Sequence, residues 1–353
     1  MTKWKFLSSY KYDLAAFCNL FTLDSRYQEL HNEAWQRFQP LIEDSAEHTA
    51  FAQQLNQSGV LVSSALSAIF DSYEYNGDDI DELCRVLDDS KLLQTRLRDY
   101  FLDTGILTAE TWEAYKPMMP AFSALAKYAH NNGFAEWWHK RCLPEIEERC
   151  AEFERNAESY PVLEAINSLL GRKYALPHPQ ITVYVCKYSA PNGTSLINQS
   201  FVTDLRWPLK TTVPIALHEM MHPPFDRHRI TEIAESLVAD ELVIAARARL
   251  APGNYSTPLF FVEENIVEAA HIYLAEQMGL EDNPLQYFID HDNATHVLSP
   301  LIYTYLKRWQ AGDELSLEQA VERMAAEGIL EAGKIKSLYN ELYAQAGISH
   351  PYK

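Results

Sequence analysis

Apolar residues recur at spacings of three to five along the first half of the chain, the signature of helices that each bury one face. From Ser25 to Asp44 the pattern runs through Leu30, Trp35, Phe38 and Leu41. Thr108-Ala-Glu-Thr-Trp112 opens another helix with Thr108 as its cap. Trp137, Trp138, Leu143, Ile146 and Phe153 carry the period to a helix ending near Ser159. Asn76-Gly77, the stretch from Pro117 to Pro120, and Asn131-Asn132-Gly133 punctuate the pattern. This half has no internal repeat and no motif that carries chemistry, and it reads as a helical domain over residues 1–172.

The pattern changes near Gly171. Leu176-Pro-His-Pro179 is a connector, and the β-branched and aromatic run from Ile181 to Tyr188 predicts a strand. Pro191-Asn-Gly193 predicts a turn. Thr194 to Thr203 predicts a second strand, and the polar Asn198, Gln199 and Ser200 at its middle suit an edge with one side open. Beyond Pro208 the helical period returns and lasts to the end. The expected fold is α+β and mostly helical, with the small sheet and the C-terminal helices together in a second domain over residues 173–353.

Composition narrows the function. Of 353 residues 47% are hydrophobic, enough for a core and against global disorder. Lys and Arg number 30 and Asp and Glu 49, a formal charge of −19. Such a surface repels phosphate backbones and anionic lipid, so neither nucleic acid nor a membrane is the expected partner. No run is apolar enough to span a bilayer, and Met1 to Leu20 lacks the pattern of a secretory signal. Cys18, Cys84, Cys142, Cys150 and Cys186 are odd in number and scattered, as free thiols in a reducing cytoplasm would be.

One motif carries chemistry. Thr212 can cap a helix whose first turn holds Pro214 and which contains His218-Glu219-Met220-Met221-His222. Positions i and i+4 share a helix face, so both imidazoles can reach one metal ion. Glu219, beside the first ligand, can take a proton from water activated there. Pro223 pushes its predecessor out of the α region, which makes His222 the expected last helical residue.

A third ligand is required. Spacing favours Glu241, with 18 residues between it and His222; context favours Glu264. Thr257-Pro258 begins a helix expected to end at Gly279, on which Glu264, Glu268 and His271 form one stripe. Glu264 can then ligate while Glu268, one turn on, accepts the N–H of His218. Glu241 has only Ala245 and Ala248 at the equivalent positions. Glu263, Glu232 and Glu235 read as surface residues.

On these residues the chain resembles the gluzincins, the thermolysin-like zinc metallopeptidases, over roughly residues 181–299. Glu263-Glu-Asn-Ile-Val-Glu268 is similar to the family's third-ligand segment, departing at Glu263, where Asn is usual, and at Val267, where Ser is usual. The resemblance implies a zincin-like catalytic domain, one zinc per chain on His218, His222 and Glu264, and a peptide or protein substrate. It also implies Glu219 as general base and an oxyanion donor, with His296 in Asp292-Asn-Ala-Thr-His296-Val-Leu-Ser299 or Tyr303 as the candidates. The predicted edge strand would pair with an extended peptide.

Two rivals remain. Glu219-Met-Met-His222 and Glu268-Ala-Ala-His271 are both Glu-x-x-His pairs, which with two lone glutamates, one of them Glu241 or Glu235, would build a di-iron site in a helical bundle. The predicted sheet and Pro223 oppose it. Alternatively, His228 or His271 could close a purely structural metal site in a protein-binding module.

Overall fold

The computed structural model describes residues 2–22, 24–43, 62–73, 75–89, 91–96, 119–191, 193–222, 225–250, 257–309 and 316–352. They form a mostly helical α+β protein with one four-stranded mixed sheet. No described helix is long and apolar enough to cross a membrane. The predicted Thr108–Trp112 helix lies outside the described residues, as do Pro223 and Pro224.

Two compact units are present. One comprises Lys3–Ser159 and Gln180–Thr212; the other comprises Met1–Thr2, Tyr160–Pro179 and Val213–Lys353. This division departs from the expected boundary at 172/173, because the sheet belongs with the first half of the chain. The cause is a strand at the N-terminus, β1 (Lys3–Ser8), that the sequence reading missed. It pairs in parallel with β2 (Gln180–Cys186), Lys3 opposite Gln180.

The single strand expected from Thr194 to Thr203 is a hairpin, β3 (Thr194–Leu196) and β4 (Ser200–Asp204), turning through Asn198 and Gln199 at φ 57° and 53°. Asparagine tolerates this left-handed region. The sheet order is β1-β2-β4-β3. Strand β4 is buried throughout and hydrogen-bonded on both sides, parallel to β2 and antiparallel to β3. The expected open edge is thus reduced to the three residues of β3.

The helix Tyr10–Phe17 is wholly buried in this unit and is tied to the sheet by Asp13. The Asp13 carboxylate accepts from Lys187 N at 2.8 Å, Tyr188 N at 3.1 Å and Trp138 Nε1 at 2.7 Å. Phe6 meets Phe153, and Phe17 stacks on Phe134, to build the core. The expected helix from Ser25 is two helices, Ser25–Leu30 and Asn32–Glu43. Asn131-Asn132-Gly133 makes a kink, with Gly133 at φ 101°, and the helical run goes on beyond it.

Among its described residues the other unit is helical. Its centre is the long helix Pro258–Gln277, in contact with the helices Arg227–Leu237 and Ser299–Trp309. Thr257 caps it, its hydroxyl accepting from Phe260 N at 3.2 Å, and Gly279 follows its end at φ 67°. Both ends match the sequence expectation. From Phe261 to Ala275 every residue is buried except Glu264.

Candidate metal centre

The helix that carries the motif spans Leu209–Glu219. It starts three residues before the expected Thr212 cap, with the Pro208 carbonyl accepting from Thr211 N and Thr212 N. Pro214 is therefore inside the helix, not in its first turn. Met220 N still bonds Ala216 O, but Met221 N bonds His218 O, so the last turn tightens. His222 follows this turn instead of closing the regular helix, in keeping with the restriction a following proline imposes.

The two imidazoles nevertheless converge. His218 Nε2 and His222 Nε2 are 3.1 Å apart. Glu264 completes a triangle, Oε2 lying 3.4 Å from His218 Nε2 and Oε1 3.7 Å from His222 Nε2. With metal–ligand bonds of about 2.0–2.1 Å and tetrahedral angles, donor atoms stand about 3.4 Å apart. Two facing imidazole nitrogens and a carboxylate at that spacing form a group that could hold a metal ion. A second such group, His218, Glu268 and His271, shares the first histidine.

Behind each histidine stands a carboxylate. Glu268 Oε2 is 3.3 Å from His218 Nδ1, the relation read from the stripe on the long helix. Glu263 Oε1 is 3.3 Å from His222 Nδ1, which the sequence reading missed. Glu263 was expected at the surface and is instead only 2% exposed. Burial is tolerated because Arg227 grips both its oxygens, Nε to Oε2 and Nη2 to Oε1, each at 2.7 Å. Glu232 and Glu235 are exposed, as expected.

His271 Nδ1 lies 3.2 Å and His296 Nδ1 3.9 Å from the carboxylate of Glu268, so that buried group is bordered by three imidazoles. His296 is positioned through Asn265, next in sequence to Glu264. Asn265 Oδ1 accepts from Leu298 N at 2.8 Å and Ser299 N at 3.3 Å, and its carbonyl accepts from Ser299 Oγ at 2.8 Å. Nothing in the sequence pattern singles out Arg227, which belongs to no motif, or Asn265, which occupies an unspecified position of the third-ligand segment.

The remaining expectations separate cleanly. Glu219 is half-buried at the end of the motif helix, next to His218. Tyr303 donates to Glu276 Oε2 at 2.8 Å, and Glu276 lies about 18 Å along the long helix from Glu264. Glu241 is exposed and pairs with Lys336 at 3.4 Å. His228 is exposed and enters neither metal-capable group. Glu235 and Glu241 are both exposed, so neither serves as the lone glutamate a buried di-iron arrangement would need.

The charges are strongly coupled. Burial by itself would lower the pKa of His218, but hydrogen bonds and charge from Glu264 and Glu268 raise it well above the ordinary histidine value. His222 is raised in the same way, burial being outweighed by Glu264 and Glu263. Burial would raise Glu264, yet His222 and His218 pull it down to about 2. Glu268 is likewise held well below the usual carboxylate range, burial being outweighed by His271 and His218. At His271 burial prevails over Glu268, and the pKa falls. The centre is a dense set of carboxylates and imidazoles in which protons or a cation must balance the charge.

Exposure divides the set. The side chains of His218, His222 and Glu264 are 21%, 13% and 19% exposed, whereas Glu263 and Glu268 are almost completely covered. The three converging donors thus present a face to solvent, while the groups that hold them are enclosed. The chain matches no family model, no curated protein and no solved structure.

Proposed function

We propose that the protein is a zinc-dependent hydrolase of peptide bonds, related in its chemistry to the gluzincins. The observation that carries this reading is the spacing of His218 Nε2, His222 Nε2 and the Glu264 carboxylate, at 3.1–3.7 Å with one side toward solvent. Two imidazoles and one carboxylate are the donor set of a catalytic zinc site, which keeps one position free. Zinc held there would supply Lewis acidity and make water a nucleophile near neutral pH.

The chain's own groups do the rest. Glu268 accepts the Nδ1 proton of His218 and so leaves Nε2 free to bind. The Glu219 carboxylate takes the proton of the attacking water and delivers it to the departing amine. The His296 imidazole, anchored beside Glu268, donates toward the carbonyl oxygen as negative charge builds there. Tyr303, engaged by Glu276, has no part in this step.

The test is a Glu219→Gln variant beside wild type, each analysed for zinc and assayed on a mixed peptide library. Wild type should hold one zinc and cleave peptides; Glu219→Gln should hold the same zinc and lose turnover by a factor of about 10²–10⁴. Zinc-loaded wild type that cleaves no peptide, or a variant as active as wild type, refutes the proposal.

A further inference from the structure

His222 is the donor least supported by its own backbone. The regular motif helix ends at Glu219, and the last bond of the tightened turn is Met221 N to His218 O. Helical periodicity no longer aims the ring. Its other nitrogen is held instead, with Nδ1 3.3 Å from Glu263 Oε1. Arg227 clamps that carboxylate with two contacts of 2.7 Å. Arg227 is itself fixed. It opens the helix Arg227–Leu237 behind the capping residue Asp226, and its guanidinium lies 5.3 Å from the centre of the Phe260 ring.

We propose that the Arg227–Glu263 ion pair is the positioning device for His222, setting its ring plane and its tautomer. This deepens the metal-centre reading and rests on it. A proton on Nδ1 donated to Glu263 leaves Nε2 as the donor atom that faces His218 Nε2. Glu263 needs the arginine, since a carboxylate that deeply covered requires a compensating charge. The planar fork reaches both oxygens, which a single ammonium does not. Glu268, which serves His218, is paired among the described residues with His218, His271 and His296, so the two histidines are held by different means.

The experiment uses the full chain and two probes, zinc in competition with a chromophoric chelator, and cobalt(II) read by its visible spectrum. The variants are Glu263→Ala and Arg227→Ala, with Arg227→Lys as the conservative change. Arg229→Ala is the control, because Arg229 lies on the same helix but pairs with Glu318 and Glu322. Glu263→Ala and Arg227→Ala should each weaken zinc binding about 10–100-fold and shift the cobalt bands. Arg227→Lys should resemble Arg227→Ala, and Arg229→Ala should change neither readout. Circular dichroism before loading identifies a variant that fails to fold; Glu263→Gln, which keeps the volume but presents an amide N–H₂ to Arg227, then replaces Glu263→Ala with the same expectation. Wild-type affinity and an unchanged cobalt spectrum in folded Glu263 and Arg227 variants overturn the inference while leaving the metal centre intact. Wild type that takes up neither ion overturns the metal centre itself.

Discussion

Asn265→Ala tests how the His296 segment is held. The change deletes one acceptor on which two backbone N–H groups converge, Leu298 N at 2.8 Å and Ser299 N at 3.3 Å. Both residues are completely buried. Ser299 opens the helix Ser299–Trp309, and the first N–H groups of a helix have no partner within it. A buried donor left unsatisfied costs about 1–3 kcal/mol. Leu298 N carries that penalty, whereas Ser299 N keeps the His296 carbonyl at 3.3 Å, so the variant should lose about 1–3 kcal/mol of stability. Urea unfolding followed by far-ultraviolet circular dichroism measures it, as a lower midpoint at unchanged slope. His296 lies two residues before Leu298, so peptide cleavage should fall even where the variant is fully folded. A change under about 0.5 kcal/mol, the range of an ordinary surface substitution, would show that these amides do not depend on Asn265.

Three further outcomes are expected. Glu264→Ala should abolish stoichiometric zinc uptake and Glu241→Ala should leave it intact, as elemental analysis of the dialysed proteins will report, because Glu241 is exposed and pairs with Lys336. Gly171→Ala should destabilise by about 1–3 kcal/mol in thermal or urea unfolding, since φ 73° and ψ 175° form a region reserved for glycine and the added Cβ would sit 3.2 Å from Ser316 Cβ. Burial, aided by the charge of Arg206, lowers the pKa of His31 from 6.5 to about 4. The unfolded chain then takes up a proton that the folded one refuses; this contribution to stability is present above pH 6.5 and is lost as pH falls to about 4, by about 3 kcal/mol. His31→Gln should flatten that part of the pH–stability curve.

What could be read from sequence was what is local. Thr257-Pro258 and Gly279 marked the long helix because caps and chain-ending glycines act within a few residues. The stripe of Glu264, Glu268 and His271 followed from helical period alone, and all three lie beside His218. Strand β2 was visible in its β-branched run. What was missed depends on distant partners. β1 is six residues long and acquires its identity only from β2. Glu263 looks like a solvated glutamate until Arg227, 36 residues earlier, is folded against it. Asn198 and Gln199 looked like the polar middle of an edge strand, although they turn the chain between β3 and an interior β4.

The place of β1 has a consequence for biosynthesis. Lys3–Ser8 leaves the ribosome well before its partner Gln180–Cys186, which follows about 180 residues later. At ribosomal speeds of about 5–20 residues per second, Trp4 and Phe6 wait some 10–35 s for the strand they pair with. Truncated or stalled chains ending before Cys186 therefore display an unpaired, aromatic-bearing strand, a natural target for holding chaperones and for self-association.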